Sequence, residues 1–321
     1  MGELFWPGDA RAGELFSDGA LLTAMVAVEC AWAGAELDVP SVRIDPEPGG
    51  NAVIGLVEAL RSAHPDVAGL HAGLTSQDVL DTALMLLLRD AVGTVREHLG
   101  RACHAIDQLV ASYGGTPMIG RTLTQPALPI RVGDKLGTWK AGLAAAEQDL
   151  GSLAYPAQAG GPVGTGRSPV LAERLGLADS PPWHTMRRPV TRAGDALVAV
   201  TDGCGRIARD VLELSRPEIG ELSEAEGGGS SSMPHKANPV LSVLIRRAAL
   251  TTPQLAATLH LAAAEQVDER ADGAWHAEWD TLRLLARRTA IAAGQTADLL
   301  TGLRMHPDRM AANLAAATGE P

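Results

Sequence analysis

Apolar residues recur every three to four positions along most of this chain, and almost nowhere do they alternate one by one. That periodicity predicts helices over 18–37, 51–63, 76–112, 125–154, 187–215, 239–266 and 278–302, with Ser17 or Asp18 capping the first and Thr75 or Ser76 the third. Pro- and Gly-containing stretches at 40–50, 113–121, 156–169, 178–189 and 216–234 divide them. Five of the segments are long and apolar along one or two faces. Such helices bury themselves against each other and against further chains, so the pattern predicts an all-α, long-helix bundle that assembles into an oligomer.

Composition narrows this picture. The 321 residues are 46% apolar but only 3% aromatic, which favours helices packed through aliphatic side chains. A net charge of -11 speaks against a nucleic-acid partner, because phosphate binding needs a basic face. The apolar runs are too short to span a membrane, and a start containing Glu3, Asp9 and Arg11 lacks the apolar core of a signal peptide, so a cytoplasmic protein is expected. Cys30, Cys103 and Cys204 are odd in number and far apart, which reads as reduced thiols and not as a disulfide or zinc framework.

Three polar segments interrupt the apolar pattern. Gly227, Gly228 and Gly229 lead into the hydroxyls of Ser230, Ser231 and Ser232, then Met233, Pro234, His235, Lys236, Ala237, Asn238 and Pro239. Glycines permit a closing flap, Pro239 suits a first helical turn, and a cation and an amide then stand where the helix dipole is positive: an anion-handling loop. A Gly/Ser linker before a helix is the plainer reading. The second segment, His71 to Asp78, lies where a long helix begins; Thr75, Ser76 and Gln77 either grip a carboxylate or merely cap the helix. The third, Gly120 to Pro129, contains Thr122 and Gln125 and is followed by Lys135 and Trp139; taken alone it is a turn and a helix start.

The first of these resembles the signature loop of the fumarase/aspartase superfamily, G-S-S-x-M-P-x-K-x-N-P, at every fixed position. The second is similar to H-x-G-x-T-S-x-D of the adenylosuccinate lyase and carboxymuconate cycloisomerase branches, and the third to G-R-T-H-x-x-x-A-x-P with one departure: Leu123 stands where the histidine belongs. In the lyase branches that histidine works with a glutamate seven residues after the signature lysine; here that position is Val243. The resemblance extends over about residues 15–314, and its segments look like those of the bacterial carboxymuconate cycloisomerases.

The resemblance implies a fumarase/aspartase-type fold, with an N-terminal helical domain over 1–95, a central long-helix domain over 96–321, and a third, C-terminal domain missing. It implies Ser230 and Lys236 as catalytic residues, with His71, Thr75, Ser76, Gln77, Thr122, Gln125 and Asn238 binding a small polycarboxylate at sites shared between subunits of a homotetramer. No cofactor and no metal is called for. Loss of both members of the acid pair points to a leaving group or nucleophile of low pKa, as in lactonisation of a carboxymuconate in aromatic catabolism. The alternative is a lyase, built like adenylosuccinate lyase, that expels such a group from a succinate-type substrate.

Other polar clusters are weaker. Gly160, Gly161, Gly164 and Gly166 follow no strand and read as a tight turn near the site, not a nucleotide loop. Glu265, Asp268, Glu269 and Asp272 have Arg270 among them and read as solvated ion pairs. His276 and Glu278 point apart on a helix, and His184 and His260 read as structural histidines.

Overall fold

The computed structural model describes residues 4–225, 227–229, 232–233 and 236–319. A 3-10 turn at Asp9–Ala12 precedes α1 (Asp18–Ala33), α2 (Ala52–Ala63) and the 38-residue α3 (Ser76–Tyr113). A hairpin of β1 (Pro117–Thr122) and β2 (Gln125–Arg131) leads into α4 (Val132–Gly151). Then follow α5 (Pro169–Leu175), α6 (Arg188–Leu214), α7 (Val240–Ala264), α8 (Gly273–Thr301) and α9 (Pro307–Thr318). Two-residue strands β3 (Leu222–Ser223) and β4 (Arg304–Met305) pair antiparallel beside α9. The described residues are mostly helical, with two small two-stranded sheets, and no helix among them is long and apolar enough to cross a membrane.

Local chemistry accounts for the helix ends. Ser17 is the α1 cap, its Oγ accepting from the Ala20 N–H at 3.1 Å. Thr75, not Ser76, caps α3, and the Asp78 carboxylate turns back to accept the Thr75 N–H at 2.9 Å. The expected helix over 125–154 begins only at Val132: residues 125–131 form the second strand of the hairpin. Pro126 and Pro129 lack the N–H that a helix needs, and Leu123 and Thr124, at φ 48° and 68°, close a tight left-handed turn that reverses the chain. The 3-10 turn and α5, too short for helical periodicity to stand out, are not expected from the pattern, and neither is α9, whose one buried residue, Met310, leaves little apolar period to read.

The core is the bundle of α3, α6, α7 and α8, with α4 laid against α3 and α6. Glycines on α6 let α7 pack closely: a Cβ on Gly205 would lie 2.3 Å from Ala249 Cβ, and one on Gly194 would lie 2.9 Å from Leu259 Cδ1. Inside this apolar bundle one ionic cluster joins three elements. Arg187, fully buried at the start of α6, donates to both Asp81 oxygens of α3 at 2.7 and 2.9 Å and to both Glu278 oxygens of α8 at 2.6 to 3.0 Å. The indole of Trp275 and the amide of Gln158 also donate to Asp81. Burial alone would pull the Arg187 pKa down, but the charges and hydrogen bonds of Asp81 and Glu278 outweigh it and push it up. Burial pushes the Glu278 carboxyl up, and the nearby Asp81 charge adds to this, against the opposing pull of Arg187. Glu278 is therefore part of a structural clamp.

Candidate functional site

The signature loop springs from a neck that is an isolated antiparallel bridge. The Gly228 N–H donates to Asn238 O at 2.7 Å and the Asn238 N–H to Gly228 O at 2.8 Å, while the Asn238 side-chain amide donates to Gly229 O at 3.1 Å. Lys236 is exposed, with its backbone N–H on Met233 O at 3.1 Å. Ser230, the residue expected to act on the carbon acid, lies outside the described residues, as do Ser231, Pro234 and His235. Pro239 is the N-cap of α7, so the helix starts where its sequence predicts. The free N–H groups of that first turn are, however, already used from within the chain. Glu224 accepts from Leu241 N at 3.1 Å, Ser242 N at 2.8 Å and Ser242 Oγ at 2.6 Å. This carboxylate occupies the positive end of the α7 dipole, a place that the sequence pattern offers to a bound anion. Beside the neck lies a cleft of about 520 Å³ lined by Arg11, Glu224, Gly227, Gly228, Asp298 and Gly302, among others.

At the start of α3, His71 sits on a turn at φ 58°, its Nδ1 2.6 Å from the buried Glu29 carboxylate of α1. Thr75 is buried at the cap and Ser76 half-buried beside it. Gln77 faces inward: its side chain is buried and donates to His184 O at 2.8 Å, so in this conformation the amide N–H is spent inside the protein. Asp78 receives His184 Nε2 at 2.8 Å and the N–H groups of Gly160 and Gly161 at 2.8 and 2.9 Å. The glycine-rich turn thus docks on the helix start, as a nearby turn and not as a nucleotide loop. His184 is a buried structural partner, and His260 pairs with Asp195 at the surface.

Thr122 and Gln125 flank the tip of the hairpin, and both are exposed. Leu123, at the tip, is 96% exposed, and Val243, in the first turn of α7, is 52% exposed. The hairpin is fastened from behind: Arg121 makes two bonds to Glu221 at 3.0 and 2.7 Å, and Asn313 of α9 donates to the same carboxylate at 2.8 Å. Trp139 Nε1 donates to Asp210 at 2.8 Å, with Lys135 3.6 Å from that carboxylate, which ties α4 to α6 and accounts for both residues. Burial pushes the Cys204 thiol up to about 11, in keeping with an inert interior cysteine. Among the described residues no group of three or more His, Cys, Asp or Glu could hold a metal.

The single chain does not bring the three segments together. Asp298, which lines the cleft at the signature loop, is bonded at 2.8 Å to Arg101 of α3. The run of α3 from Ser76 to Arg101 is about 37 Å long at 1.5 Å per residue, and the hairpin lies farther on, beyond Tyr113. His71 and its neighbours therefore stand at the opposite end of α3 from the other two segments.

The profile of a lyase family matches residues 49–252. The nitrosuccinate lyase of Streptomyces davaonensis is 38% identical over 93% of this chain and 73% of its own length. The 3-carboxy-cis,cis-muconate cycloisomerase of Bradyrhizobium diazoefficiens is also 38% identical, over 91% of this chain and 69% of its own. Among solved structures, the 3-carboxy-cis,cis-muconate lactonizing enzyme of Pseudomonas putida superposes over 99% of this chain and 80% of its own with a TM-score of 0.89, at 32% identity. The chain belongs to this lyase family of the fumarase/aspartase superfamily and is a lyase-type enzyme.

Proposed function

We propose that the protein is a 3-carboxy-cis,cis-muconate cycloisomerase, closing carboxymuconate to a carboxymuconolactone. The observation that carries this reading is the pair of apolar residues Leu123 and Val243, at the hairpin tip and the first turn of α7, where the family's lyases keep an acid pair. A nitrogen leaving group must be protonated as it departs, so a lyase of that kind needs a positioned acid. A carboxylate, whose conjugate acid has a pKa of about 4, needs none. In lactonisation one substrate carboxylate adds to the conjugated diene, a C–O bond forms, and the electron pair moves to the carbon beside another carboxylate. The resulting enolate-like dianion then takes up one proton.

In this reading Ser230 delivers that proton, its hydroxyl activated by loop N–H groups and nearby positive charge, while Lys236 and Asn238 stabilise the dianion. Thr75, Ser76, Thr122 and Gln125 hold the carboxylates, and Gln77 joins them when its amide turns away from His184 O. His71 contributes a hydrogen bond or a proton. Because the segments lie at opposite ends of α3, the site is assembled from different subunits of a homotetramer, in which copies lie antiparallel.

The relationship to a nitrosuccinate lyase favours a second reading on the same machinery: elimination from nitrosuccinate would expel nitrite, also a weak base that departs without an acid. Parallel incubations separate the two. Loss of diene absorbance with lactone formed from carboxymuconate supports the first, and nitrite release from nitrosuccinate with no action on carboxymuconate replaces it by the second. Under either reading Ser230→Ala lowers kcat by about two to four powers of ten.

A further inference from the structure

We infer that Glu29 is the positioning residue for His71: it holds the imidazole with a proton on Nδ1 and leaves Nε2 as the atom that meets the substrate. The inference rests on the reading of His71 as a substrate ligand. Glu29 lies in the C-terminal half of α1 at 0% exposure, near Met25, Val26 and Val28, which are also buried. A carboxylate in such surroundings is retained only if its partners repay the loss of water. Among the described residues its one hydrogen bond is the 2.6 Å contact to His71 Nδ1, and Oε2 has no partner. A carboxylate accepts, so the nitrogen facing it carries hydrogen.

The turn has anchors besides this pair. Trp32 Nε1 already donates to Ala72 O at 3.0 Å, and Arg61 Nη2 to Leu70 O at 3.2 Å, on either side of His71. His71 itself stands at φ 58°, between Gly69 at 83° and Gly73 at 80°, a backbone region that non-glycine residues seldom enter. Two unfavourable features, a half-satisfied buried carboxylate and a left-handed histidine, converge on one imidazole, as at sites where geometry is kept for function.

The chain contains its own contrast. His184 also pairs with a carboxylate, Asp78, but there three backbone N–H groups complete the acceptor's shell and the imidazole is 3% exposed. The His71 side chain is 16% exposed, and its Nε2 makes no hydrogen bond among the described residues. One pair is sealed into the core; the other presents a ring nitrogen at the turn that leads into Thr75 and Ser76.

The test uses the full chain labelled with 15N-histidine and no ligand. His71→Asn identifies the His71 resonances. The wild type should show a proton on Nδ1 in a short hydrogen bond, shifted downfield. In Glu29→Gln, whose amide can donate as well as accept, that signal should be lost and a form with the proton on Nε2 only should appear. Glu29→Gln should also lower kcat by about 10- to 100-fold, with KM changed much less, for whichever substrate the wild type turns over. A bare Nδ1 in the wild type overturns the inference, as does the same proton distribution in Glu29→Gln; if that variant does not fold, the wild-type spectrum decides alone. The spectra need no substrate, so a wild type inactive on carboxymuconate overturns the proposed reaction without touching this result.

Discussion

Replacing Arg187 by Met tests whether the ionic cluster is as dry as its geometry states. The methionine keeps most of the aliphatic stem and removes the guanidinium that donates to Asp81 at 2.7 and 2.9 Å and to Glu278 at 2.6 to 3.0 Å. Both carboxylates are left in the core, Asp81 still held by Trp275 and Gln158 but Glu278 with no other partner among the hydrogen bonds of the described residues. Breaking a buried pair from one side costs about 3–5 kcal/mol, and with two acceptors stranded the upper half of that range applies. For a chain of 321 residues, at about 2.1 cal/mol/K of unfolding entropy per residue, that corresponds to a fall in Tm of about 6–7 °C, read by thermal unfolding at fixed protein concentration.

The deficit also depends on pH, and the sign follows from Glu278. Its carboxyl already sits above the ordinary value in the folded state, so the native protein holds that proton more tightly than the unfolded chain does. Stability from this group is therefore greatest at low pH and declines as pH rises from the unfolded value of about 4.5 through the raised folded one. Removing Arg187 removes the attraction that opposes the rise, which widens that window. The variant's deficit should be larger at pH 7.5 than at pH 5. A fall in Tm below about 2 °C, or an equal deficit at the two pH values, would refute the reasoning, since either means that water reaches the cluster.

Two further predictions concern other groups. Glu224→Ala leaves the Leu241 and Ser242 N–H groups without their acceptor and should lower stability by about 1–2 kcal/mol, checked by urea unfolding; hydrogen exchange at those two amides should rise, and no change in exchange would mean that Glu224 does not cap α7. Burial, helped by Arg101, holds His98 below its ordinary value, so the unfolded chain binds this proton more tightly and the wild type loses stability as pH falls through about 6.5; His98→Gln should flatten that part of the stability profile, and an unaltered slope in a pH series of unfolding curves would count against it.

Much of the fold was legible because its helices are long. In α3, α4, α6, α7 and α8 the period of 3.6 is repeated often enough to outweigh any single misleading residue, and Ser17, Thr75 and Pro239 mark starts that the structure keeps. The hairpin was missed because Ala127, Leu128 and Ile130 run on into the apolar pattern of α4, while the deciding signals were two prolines and a left-handed turn without glycine. The motifs singled out His71, Thr75, Thr122, Lys236 and Asn238 by type and order. Nothing in the sequence pointed to Glu29, which lies 42 residues before its histidine, or to Glu224, which reads as an ordinary acidic residue until α7 turns its N–H groups toward it. Separation along α3 was equally hidden, since motif spacing in sequence says nothing about which end of a helix a segment occupies.

The central claim is that segments about 37 Å apart along α3 serve one site by coming from different chains. The direct measurement is complementation: His71→Asn and Lys236→Met, each inactive alone, are mixed, unfolded together and refolded, and turnover is read with the wild type's substrate. Sites that draw His71 from one chain and Lys236 from another should recover about a quarter of the wild-type activity in a random assembly of symmetric oligomers. A mixture that folds and assembles yet stays as inactive as its parents would contradict the account.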